Sequence, residues 1–131
     1  MTQPPVSEAA RMLFATAIGE AEQTALLLDS VGVPLAGSYI DQSGRDISGE
    51  IGAALSGVSK EVSRSMRMLA IGNWTAVVVE TDAATIALAP ATDDAVVLLA
   101  SSSTVPLGLV RRVLTRSVAL AINWMRDRMG R

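Results

Sequence analysis

The chain has no cysteine and no histidine among its 131 residues. The first absence excludes disulfides and thiol chemistry, and the two together remove the usual zinc and iron ligands. Histidine is also the side chain whose unperturbed pKa lies near neutrality. Acid–base catalysis here would therefore need a strongly shifted carboxylate or amine, and neither an enzyme nor a bound cofactor is expected. Aromatics are limited to Phe14, Tyr39, Trp74 and Trp124. Core volume must come from Ala, Val, Leu, Ile and Met, which favours thin, closely packed layers over deep pockets. No apolar run approaches the roughly 18 residues that mark a membrane span. The opening Met-Thr-Gln-Pro-Pro-Val-Ser-Glu lacks the basic region and apolar core of a signal peptide. A cytoplasmic location is expected. Lysine is nearly missing too: Lys60 stands beside ten arginines in an alanine-rich chain, a usage that suggests a GC-rich bacterial genome.

What is present describes a folded module. Half of the residues are apolar and 18% are charged, so a packed core is expected and disorder is not. The length suits one domain, read as residues 7–131 behind a flexible tail over 1–6. Net charge is −2 but unevenly spread. Residues 105–131 hold Arg111, Arg112, Arg116, Arg126, Arg128 and Arg131 against Asp127. Such a basic helix can meet nucleic acid or an acidic membrane surface. In an acidic chain its simpler reading is a solvated face, so no nucleic-acid partner is assigned.

The segment from Thr24 to Ile40 is the most informative. Two apolar runs flank Asp29-Ser30-Val31-Gly32, with Pro34 opening the second. This reads as a hairpin with strands near 24–30 and 34–40, the second starting at Pro34 or lying at a sheet edge. Before it, Ser7 caps a first helix over about 7–22, faced by Ala10, Leu13, Phe14, Ala17 and Ala21. After it, Asp41-Gln42-Ser43-Gly44 turns the chain, and Asp46 or Ser48 caps a long middle helix over about 46–70. Its apolar stripe is Ile47, Ile51, Ala54, Leu55, Val58, Val62, Met66 and Leu69, and Gly72-Asn73 ends it. Strands are expected at Thr75–Thr81, at Thr85–Ala89 (stopped by Pro90) and, past an Asp93-Asp94 turn, at Ala95–Ala100. Ser103 or Thr104 then caps a last helix over about 105–129, with Pro106 in its first turn. Its buried face is Val110, Val113, Leu114, Ala121, Ile122 and Met125. The order α-β-β-α-β-β-β-α predicts an α/β (α+β layered) sandwich. A five-stranded antiparallel sheet would carry one long helix on one face and two helices on the other.

This order resembles the Roadblock family of dynein light chains and bacterial gliding-motility regulators of the MglB type. Three segments carry the resemblance: Leu26 to Ala36, Ala89 to Ala100 with its proline and acidic turn, and Val105 to Arg111 entering the last helix. The resemblance covers about residues 7–127. It implies homodimers, or higher assemblies, that join sheet edges and lay the middle helices side by side. It also implies binding of a small Ras-like GTPase, with GTPase activation or a polarity or motility role. The catalytic groups would then belong to the GTPase. The alternatives are a scaffold subunit without effect on GTP hydrolysis, and a small-ligand sensor on a profilin-like sheet.

The best site candidate is the outer face of the middle helix. Opposite the apolar stripe lie Gly49, Ala53, Ser56, Gly57, Lys60, Arg64 and Arg67. Small residues there cost helix stability, about 1 kcal/mol per glycine relative to alanine, and let another backbone approach. The cations could meet acidic residues on a partner, or be solvated charge near a helix C-terminus. Trp74 is either an interface anchor or a cap on the core. Asp93 and Asp94 read as a turn, Met12, Met66 and Met68 as core filler. No phosphate-binding Gly-Lys-Ser/Thr loop is present.

Overall fold

Asp29 shapes the first hairpin turn: its Oδ1 accepts the N–H groups of Val31 and Val33, both at 2.9 Å. On either side run β1 (Gln23–Asp29) and β2 (Pro34–Gly37), with a register shift between Leu27 and Leu28. Asp41 repeats the device one turn later, accepting from Ser43 and Arg45. The computed structural model describes residues 6–18 and 23–129. Most of the expected tail, Ala21 and Arg131 lie outside them.

The remaining elements are α1 (Glu8–Arg11), α2 (Ala15–Ile18), α3 (Ser48–Leu69), β3 (Val77–Glu80), β4 (Ala84–Thr92), β5 (Ala95–Ser102) and α4 (Leu107–Met129). The sheet order is β2-β1-β5-β4-β3, and every pairing is antiparallel. The expected first helix is two short pieces with a turn at 12–14 between them. Ser7 does cap the first, accepting from the Ala10 N–H at 3.1 Å. β4 does not stop at Pro90 but continues to Thr92. Pro90 lies past the last residue paired with β3 and beside a register shift, where a missing N–H is tolerated. Ser103 and Thr104 were the expected caps of α4; instead the Thr104 hydroxyl meets Ser102, and the Pro106 carbonyl takes the first helical N–H groups.

The two faces of the sheet are built from different residues. Ala25, Leu27, Ala36, Ala87, Ala89, Ala95, Val97 and Leu99 form one core with Phe14 and with Val110, Val113, Leu114 and Ala121 of α4. Its many alanines let α4 seat close to the strands. The other face presents Leu26, Leu28, Leu88 and Leu98 to Ile51, Leu55 and Val58 of α3. These longer side chains hold α3 off the sheet. The buried residues of α3 are Ser48 and Gly52, while Ile51, Leu55, Val58, Val62 and Met66 are half-buried. The expected stripe therefore faces the sheet without being sealed by it. Ala54 is exposed and Leu69 is 62% exposed. Met12 and Met68, expected as filler, are 59% and 74% exposed.

Candidate partner-binding face

α3 begins with a polar clasp. Ser48 Oγ accepts the Tyr39 N–H at 2.8 Å and donates to Asp46 Oδ1 at 2.5 Å. Asp46 also accepts the Ser48 N–H and pairs with Arg11 at 3.4 Å. Burial pushes the Asp46 carboxyl up, but the two Ser48 bonds and the Arg11 charge outweigh it and leave it below the ordinary carboxylate range. Ile47 occupies the N-cap position itself, without a side-chain bond. The helix ends at Leu69 with Ala70 in the left-handed conformation (φ 54°), ahead of the Gly72-Asn73 expected to stop it.

The eight candidate residues divide into four groups. Gly49, Ala53 and Gly57 are exposed, and a Cβ added to either glycine would meet open space. Ser56 is half-buried at the flank; its Oγ donates to the Ala53 carbonyl. Lys60, Arg64 and Arg67 are exposed along the C-terminal half, and Arg64 pairs with Glu61 at 3.3 Å. Trp74 does not stand on a strand. It lies in the loop before β3, half-buried against the leucine face, with Nε1 donating to Ser63 Oγ at 2.8 Å.

The structure brings four of these together. Lys60, Arg64, Arg67 and Trp74 border an open cleft of about 900 Å³ whose far wall is the β4–β5 turn with Asp93 and Asp94. The α3 side carries these cations together with Glu61, which pairs with Arg64, and the turn side carries the two carboxylates. Among the described residues no group of acidic side chains is placed to hold a metal ion.

Two features escaped the sequence reading. The close backbone approach occurs at Gly52, not at Gly49 or Gly57: its Cα faces the carbonyl of Gly32, so a Cβ at either position would overlap the other's oxygen. A third glycine in the helix, on the stripe nearest the hairpin turn, was the available signal. The second is apolar. Met68, Leu69 and Ile71 are exposed where α3 ends, and Val79 is 50% exposed on the edge strand β3.

No family model matches the chain, and no curated protein matches it in sequence. Solved structures do. MglB of Myxococcus xanthus aligns with a TM-score of 0.75 at 12% identity, covering 92% of this chain and 97% of that one. A Roadblock/LC7 domain from Streptomyces avermitilis gives 0.72 at 17% identity, over 88% and 96%. An MglB in a tetrameric arrangement gives 0.71 at 19% identity, over 92% and 95%. The shared architecture spans nearly the whole of each chain: this protein has the Roadblock fold.

Proposed function

We propose that this chain is a non-catalytic regulator that binds a small Ras-like GTPase through the outer face of α3. The observation that carries this is the open state of that face. Gly49, Ala53 and Gly57 leave room for another backbone, and Lys60, Arg64 and Arg67 border an open cleft further along the helix. A surface helix without a partner gains from Ala, Glu or Lys at positions such as 49 and 57, where glycine stands instead. The likeness to MglB structures supports the reading at the level of fold. The mechanism is presentation of α3 to the switch region of the GTPase, biasing its conformation. The test is capture of a Ras-like GTPase in each nucleotide state, with GTP turnover measured with and without this protein. Absence of binding in both states overturns the proposal.

A scaffold role in dimers is the second reading, favoured by Met68, Leu69 and Ile71, exposed where α3 ends, and by Val79, exposed on β3, whose outer side is unpaired in the described chain. Binding without any change in turnover selects it.

A further inference from the structure

The face opposite α3 carries an uneven share of the charge. Arg111, Arg112, Arg116 and Arg126 of α4 are exposed and form no ion pair among the described residues. Arg128 is held differently, 4.6 Å over the ring of Trp124. At 3.6 residues per turn Arg112 points away from the buried Val110, Val113, Leu114 and Ser117, and Arg111 and Arg116 stand on either flank of it. Among the described residues of the neighbouring helices, few acids offset them. Asp127 is the acid of α4, α2 carries no charge, and α1 has Glu8 beside Arg11, which is tied to Asp46.

An apolar tip precedes this basic stripe. No charged residue lies between Asp94 and Arg111. Pro106, Leu107, Gly108 and Leu109 are all exposed, the leucines by 42% and 38%. Charge alone would suit a nucleic acid as well as an anionic lipid, but exposed leucines gain nothing from a phosphate backbone. Leu107 and Leu109 stand on opposite sides of the helix start, so the tip of α4 offers both to a headgroup layer, with arginines a turn behind reaching the phosphates of an anionic bilayer surface. We propose that residues 106–116 form a peripheral docking surface for anionic lipid headgroups. No helix of the described chain is long and apolar enough to cross a membrane, so the attachment is superficial. With α4 against the lipid, α3 on the other side of the sheet stays open to a partner. The proposal does not depend on what that partner is.

Sedimentation of the full chain with vesicles tests it. Binding is expected to vesicles rich in phosphatidylglycerol and not to pure phosphatidylcholine, falling as salt is raised. Arg111→Gln, Arg112→Gln and Arg116→Gln combined should weaken binding about a hundredfold, about fivefold per arginine. The triple Arg→Lys variant should restore it, which separates a lost charge from a damaged fold. Leu107→Ser with Leu109→Ser should weaken binding while keeping its salt dependence. No binding to the anionic vesicles at low salt, or equal binding to both vesicle types, overturns the proposal. So does an unchanged triple Gln variant. Duplex DNA bound in preference to the vesicles, and lost in that same variant, assigns the face to nucleic acid instead.

Discussion

A Cβ on Gly52 would run into the carbonyl oxygen of Gly32, and one on Gly32 into that of Gly52. Gly32 also takes a φ of +87°, which other residues avoid. These two glycines let the hairpin turn lie directly on α3, whereas Gly49 and Gly57 face open space. Gly52→Ala should therefore destabilise the protein by about 1–3 kcal/mol, an overpacking cost. Gly49→Ala and Gly57→Ala should each stabilise it by about 0.5–1 kcal/mol. Urea midpoints at constant m-value separate the cases; a Gly52→Ala protein as stable as the other two would remove the contact from the argument. Asp46 belongs to the same scale. Its folded carboxyl titrates below the ordinary value, so its contribution is complete above the unfolded pKa, about 3.9. It is lost as pH falls through the lower folded value. The melting-temperature gap between wild type and Asp46→Asn should be level from neutrality down to about pH 5 and close below about pH 4. A gap that stays constant into strong acid would show that Asp46 is not linked in this way.

At the level of elements, the strands, both long helices and their order were legible, because the short apolar runs of β1 and β5 between turn residues and the 3.6-residue stripe of α3 are local signals. Depth of burial was not local. Which helix seats close depends on which strand positions share a face. Alanines at 25, 87, 89 and 95 gather under α4 and leucines at 26, 28, 88 and 98 under α3 only once the register is known. The cleft was half legible for the same reason. Lys60, Arg64 and Arg67 follow from helix geometry, but Asp93 and Asp94 face them through the topology of the sheet, and the Trp74–Ser63 bond spans 11 residues. The end of α3 shows a local signal overridden. Gly72 was the expected stop, yet Ala70 adopts the left-handed turn, with the Ala70 and Ile71 N–H groups bonded to Arg67 and Met66 carbonyls. That conformation costs alanine about 1–2 kcal/mol. Ala70→Gly should thus raise stability by up to about 1 kcal/mol after glycine's extra chain entropy. Thermal denaturation measures it, and a lower melting temperature would contradict this account of the helix end.

For the whole molecule, the sheet has two edges of unequal availability. β2 opens with Pro34 and packs beside α1, and both features block further pairing. β3 carries Val77, Val78 and Val79 without a proline, and its outer side is unpaired in the described chain. The exposed Met68, Leu69 and Ile71 lie at the end of the helix that leads into it. A second copy meeting this edge would extend the sheet and cover the apolar side chains in one step, as expected of a twofold, self-complementary contact. The partner binding proposed for the outer face of α3 draws on different residues, so the two can be taken apart. If copies of the chain join along this edge, Leu69→Glu with Val79→Lys should shift the protein to monomer in light scattering while circular dichroism stays native. Ala53→Arg and Gly57→Arg place a long charged side chain where a partner backbone would come close, and should abolish capture of a Ras-like GTPase without unfolding the chain. If the arginine variants bind as wild type does, residues 49–67 are solvated surface. If only the Leu69 and Val79 pair lowers GTPase binding, the partner reads the dimer rather than one helix.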